Sequence, residues 1–170
     1  MSLDYLDGIF TKDEIRLPLV ADPGNLLNSS DYQKINHLLK QFLKAFPQLH
    51  VTVYFTSLKS HLSLSVRECS FWLINRQKTP DIEGYRDKRF SILLLIDDYQ
   101  KSASIIIGYG LESILSERAI ASVLEVSREA LAQKAYLKAI TLCLGSLAKL
   151  LMQHTLPASA ASNDPMSSYG

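Results

Sequence analysis

Ser91-Ile92-Leu93-Leu94-Leu95-Ile96-Asp97-Asp98-Tyr99-Gln100-Lys101-Ser102-Ala103-Ser104-Ile105-Ile106-Ile107 is the stretch on which the reading of this chain turns. Its apolar run over 92–96 is unbroken and of strand length, which predicts a strand covered on both faces at the centre of a sheet. The polar connection over 97–101 has the spacing of a hairpin, so 103–107 is predicted to return antiparallel beside it. Upstream, His50-Val51-Thr52-Val53-Tyr54-Phe55-Thr56 is rich in β-branched and aromatic residues and predicts another strand. Between Ser30, which forms a capping box with Gln33, and Pro47, the residues Tyr32, Ile35, Leu38, Leu39, Phe42 and Phe46 recur at helical spacing and predict a helix over 31–45.

Further apolar patterning predicts helices over 64–75, 116–132 and 135–152, with Trp72 as a core anchor of the first of these. Ile15-Arg16-Leu17-Pro18-Leu19-Val20 reads as a short extended segment, and Asp22-Pro23-Gly24-Asn25 as the turn that follows it. The order extended, helix, strand, helix, strand, strand, helix, helix argues for an α/β fold, a sheet with helices packed on it. The expected organisation is a lead-in over 1–14, one domain over 15–154 and a disordered tail over 155–170, where the composition offers little to bury.

Composition narrows the function. The 170 residues carry 18 Lys+Arg against 17 Asp+Glu, a net charge of +1, so no overall basic field points to nucleic acid. The longest apolar stretches are shorter than the ~20 residues of a membrane-spanning helix or are interrupted by polar residues. Cys69 and Cys143 are the only cysteines. Two isolated thiols cannot build a Cys-rich metal site, and both are read as buried small hydrophobes, with a disulfide as the alternative. The start of the chain lacks a signal-peptide pattern, so the expectation is a cytoplasmic protein or one whose signal or anchor was trimmed.

Four constellations bear on chemistry. Gly108-Tyr109-Gly110-Leu111-Glu112-Ser113 imitates a dinucleotide-binding turn, but Ser113 stands where the third glycine belongs and the preceding strand leaves a hairpin. Asp97 and Asp98 close the central strand, and with Asp22 and Glu112 in turns they are candidates for an oxygen-ligand site for Ca²⁺ or Mg²⁺; the plainer reading is solvated turn residues. His37, His50, His61 and His154 lack zinc-site spacing. Neither a G-x-S-x-G elbow nor a P-loop occurs.

Taken in order, Val20-Ala21-Asp22, the Leu27 and Ser30 helix start, Val51-Thr52-Val53, the run over 92–96, Asp97-Asp98, Gly108-Tyr109-Gly110-Leu111-Glu112, Tyr136 and Ala139-Ile140 resemble the TPM domain over about 19–150. The resemblance implies a three-layer α/β/α sandwich with a small mixed sheet flanked by helices. It also implies display outside the cytoplasm, periplasmic or at a membrane, with a membrane or membrane-associated protein as partner. Members include a thylakoid-lumen protein with attributed acid phosphatase activity, calcium-binding bacterial proteins and an animal receptor auxiliary subunit, so the fold alone fixes no function. Carried over by position, Asp22, Asp98 and Glu112 match the acidic places of the motif, Asp22 and Asp98 being the metal-ligand candidates, and Gly108 and Gly110 match its turn.

Two departures shape the expectation. Members usually carry Asp-Asn-Gly ahead of the central strand, where this chain has Arg89-Phe90-Ser91, and the Arg that commonly follows the acidic turn is Tyr99 here. Arg89 is therefore a candidate to stand in electrostatically for a cation or to bind an anion. The expected function is a binding or accessory domain with a degenerate acidic ion site. The alternative is a metal-assisted acid phosphatase acting on phosphomonoesters, in which Asp22, Asp97 and Asp98 assemble a site where a metal polarises the phosphoryl oxygen and activates water.

Overall fold

The structure, a computed structural model, describes residues 18–57, 65–76 and 88–154. Among them are strands β1 (Val20–Ala21), β2 (His50–Thr56), β3 (Ser91–Asp97) and β4 (Ser102–Ile107). The helices are α1 (Ser29–Ala45), α2 (Val66–Arg76), α3 (Glu117–Ala132) and α4 (Tyr136–Met152). The sheet runs in the order β1-β2-β3-β4, with β1, β2 and β3 parallel and β4 antiparallel to β3. All seven residues of β3 are buried, as its unbroken apolar run requires of a strand with both faces covered.

Alternation along the strands divides the core between two helical layers. Val51, Val53, Phe55, Ile92, Leu94, Ile96 and Ile105 face α1 and α4, meeting Leu39, Ile140, Leu144 and Leu147. Tyr54, Leu93 and Leu95 point the other way, onto Cys69, Trp72 and Leu73 of α2. This is the expected α/β arrangement of a mixed sheet between helices. Trp72 is the buried anchor that its place in the sequence suggests, and both cysteines are buried and free, so no disulfide joins them.

Local chemistry sets the element ends, in places differently from the sequence reading. The cap of α1 is Asn28 rather than Ser30: Asn28 holds extended backbone and its side chain accepts from the Asp31 amide at 2.7 Å, so the helix begins two residues earlier than expected. The capping box belongs instead to α2, where Ser65 Oγ accepts from the Glu68 amide at 3.1 Å and Glu68 accepts from the Ser65 amide at 2.8 Å. Ser116 caps α3 through the Ala119 amide. Of the extended segment expected over 15–20, the described part contributes only to β1. The lead-in, the tail over 155–170 and most of the polar loop after α2 lie outside the described residues.

Gly108-Tyr109-Gly110-Leu111 proves to be a packing device. The 3₁₀ turn Tyr109–Leu111 lies against a second one, Lys88–Phe90, which leads into β3. A Cβ on Gly110 would come within 2.8 Å of the Phe90 ring and 2.9 Å of the Arg89 carbonyl oxygen. Gly110→Ala is therefore expected to cost about 1–3 kcal/mol through overpacking, read as a lower urea midpoint with an unchanged slope.

Candidate functional site

In open α/β sheets, ligands gather beyond the carboxyl ends of the parallel strands. Here β1, β2 and β3 all end on one side, and the chain places Asp22, Asp97 and Asp98 there. The loops are tied across that edge: the Asp98 amide donates to Thr56 O at 3.0 Å and the Gly24 amide to Phe55 O at 3.2 Å. Three of the four candidate carboxylates are thus brought to one end, but each is put to a different use.

Asp22 is a turn staple. Its Oδ1 accepts from the Leu26 amide and its Oδ2 from the Leu27 amide, both at 2.9 Å, so both oxygens fasten the chain between β1 and α1. Asp97 is almost completely buried and accepts from the Gln100 amide at 2.9 Å, shaping the β3–β4 turn. Burial, and then the nearby Asp97 charge, push the Cys69 thiol up to about 12. The thiol is therefore protonated at neutral pH.

Asp98, one residue on, lies toward α4. The Tyr136 hydroxyl, at the first residue of that helix, donates a hydrogen bond to Asp98 Oδ1. The Lys134 ammonium stands 3.4 Å from the same oxygen. The Tyr136 bond, opposed by partial burial and joined by Lys134 and Lys101, holds the Asp98 carboxyl below the usual aspartate range. Burial, followed by the bond to Asp98 and the charges of Asp98, Asp22 and Asp97, pushes the Tyr136 hydroxyl upward. All three carboxylates are therefore felt at this one hydroxyl.

These shifts fix a pH window. A carboxyl depressed by folding stabilises fully above its unfolded value of about 3.9 and loses that contribution as pH falls through the lower folded value. A tyrosine raised by folding contributes fully below about 10 and loses the contribution as pH rises through its folded value. Tyr136→Phe is expected to flatten both the acid and the alkaline limb of the stability profile while leaving the ring in place. Urea midpoints at acid, neutral and alkaline pH check this.

The other two candidates lie elsewhere. Glu112 is exposed and follows β4, which runs antiparallel; with Ile107 opposite Ile92, it sits at the amino end of β3. The length of a seven-residue strand, about 20 Å, separates the two ends, so Glu112 does not join Asp97 and Asp98. Arg89 is at that same distant end, its guanidinium 5.7 Å from the centre of the Phe90 ring. The expectation that Arg89 stands in for a cation at the acidic cluster is corrected by this placement. The cation beside Asp98 is Lys134, a residue the sequence reading passed over.

The residues present do not fit the Ca²⁺ or Mg²⁺ that the resemblance implies. Calcium takes six to eight oxygens, whereas Asp22 accepts from two amides, Asp97 accepts from the Gln100 amide in the hairpin turn and Asp98 is shared by a hydroxyl and an ammonium. Among the described residues no group of three or more His, Cys, Asp or Glu is arranged to hold a metal ion. The hollow lined by Asp97, Asp98, Lys101 and Tyr136 is too tight for a water molecule. A larger open groove of about 460 Å³ lies on the α1 surface, beside Lys34, His37 and Leu137.

A family model described as the TPM domain matches residues 20–150. The chain belongs to the TPM-domain family. Comparison with the curated proteins gives no match. Two solution NMR structures are similar to this TPM domain. The N-terminal domain of a P. gingivalis protein is 15% identical, with a TM-score of 0.64 over 82% of this chain and 87% of that one. The N-terminal domain of a Corynebacterium glutamicum protein is 14% identical, with a TM-score of 0.58 over 91% and 90%. At such identities the likeness bears on the fold alone. No helix of the described residues is long and apolar enough to cross a membrane.

Proposed function

We propose that this TPM domain is a binding or accessory module acting on a membrane or membrane-associated partner outside the cytoplasm, with an acidic sheet end that no longer serves an ion. Family membership supports the general reading. The observation that carries it is the tightness of the acidic end among the described residues: the hollow beside Asp97 and Asp98 has no room for water, still less for a phosphoryl group. Metal-assisted hydrolysis needs an open position where a metal polarises the phosphoryl oxygen and activates water. The donors that would build it are engaged in the turn, the hairpin and the helix corner.

Hydrolysis of p-nitrophenyl phosphate across acid to neutral pH, with calcium or magnesium added, tests this. The expected result is a background rate shared by the wild-type protein and Asp98→Ala. A turnover that Asp98→Ala abolishes would contradict the accessory reading and restore the phosphatase one.

A further inference from the structure

We propose that Lys134 is the resident cation of the acidic end, its tethered ammonium taking at Asp98 the place that a bound divalent cation would take. The inference rests on the accessory reading above and gives it a specific residue.

The backbone at the α3–α4 corner supplies the first argument. The Lys134 amide donates to Leu131 O at 3.0 Å and the Ala135 amide to Ala130 O at 2.8 Å, the paired bonds of a Schellman motif. Lys134 occupies its left-handed position, with φ 57°. That position ordinarily favours glycine, which has no Cβ to strain it, and asparagine after it. A lysine there is costly to the backbone, and what it brings is reach: its ammonium arrives 3.4 Å from Asp98 Oδ1.

Charge supplies the second. Asp22 and Asp97 accept from backbone amides, whereas Asp98 accepts from the neutral Tyr136 hydroxyl and depends on side chains for compensation. Three carboxylates at one sheet end repel one another, and a nearby positive charge relieves that repulsion. Lys101, in the β3–β4 turn, is another left-handed lysine at φ 50°, and its charge also acts on Asp98. Arg89, the cation the sequence suggested, is at the far end of β3. Two loops thus each spend a left-handed position on a lysine at the same carboxylate.

Terbium luminescence sensitised by tyrosine tests the substitution, with Tyr136 as the donor beside Asp98. Lys134→Gly removes the ammonium while suiting the left-handed backbone, and Lys134→Met removes the charge while keeping the chain length. The wild-type protein is expected to give no sensitised emission at terbium up to about 1 mM, the weak end of protein calcium sites. Both variants, with Asp98 as the one carboxylate released, are expected to show weak sensitised emission that rises toward about 1 mM terbium, where the wild type is silent, and Asp98→Asn in the Lys134→Gly background should abolish it. Folded variants as silent as the wild type would overturn the role of Lys134 and leave the accessory reading standing. Tight terbium binding by the wild type, displaced by calcium, would overturn that reading itself.

Discussion

Phe55→Ala is expected to lower stability by about 3–5 kcal/mol, the range for emptying a fully buried aromatic site. Phe55 has no exposed surface and stands in β2, where its side chain fills the layer between the sheet and α4. Its ring meets Tyr136 edge-on, with centroids 5.6 Å apart and planes at 75°. The substitution therefore opens a cavity directly beneath the residue that holds Asp98. Two results should appear together: a lower urea midpoint, and an acid limb of stability that resembles that of Tyr136→Phe. Phe55→Leu retains much of the volume and should lose considerably less. A loss below about 1 kcal/mol for Phe55→Ala would show that the layer repacks and that Tyr136 is positioned independently.

Asp22→Ala carries the second large effect. Hydrogen bonds to charged groups contribute roughly 1.5–3 kcal/mol each, and coupled bonds in one turn add less than their sum. The loss of the two amide contacts at 2.9 Å is accordingly expected to cost about 2–4 kcal/mol. Asp22→Asn keeps one carbonyl acceptor and should fall between. The condition that matters is the ion content of the buffer. A turn staple loses its contribution equally with calcium present or with a chelator in excess, whereas an ion ligand loses stability only where ion was bound. Thermal unfolding of the wild type and Asp22→Ala under both conditions separates the two roles.

Much of the fold was legible because each cue had a single mechanical meaning. The unbroken 92–96 run could be covered only on both faces, and β3 is buried throughout. The short polar connection after it led to the antiparallel β4. Where local cues competed, the reading slipped: Asn28, Ser29 and Ser30 all suit a helix cap, and backbone geometry chose Asn28. Ser65 and Glu68, three residues apart, carry the capping-box signature at the start of α2.

The site was legible in part. Asp22, Asp97 and Asp98 reach one end of the sheet because parallel strands share a direction, and that follows from the strand order. Their separate uses do not. Asp97 and Asp98 are neighbours in sequence, yet one shapes the hairpin turn through the Gln100 amide and the other meets Tyr136 and Lys134, and the motif glycines belong to the other end of the sheet with Glu112 and Arg89. Lys134 was invisible for a different reason. Its role depends on a left-handed residue between two helices and on a carboxylate 36 positions away, and neither leaves a periodic trace.

Calcium titration by calorimetry on the wild-type protein tests the central claim most directly. Closure of the acidic end by the chain's own amides, hydroxyl and ammonium predicts no binding heat up to about 1 mM calcium and no rise in melting temperature. Saturable binding of one ion per chain, accompanied by stabilisation and lost in Asp98→Asn, would contradict it.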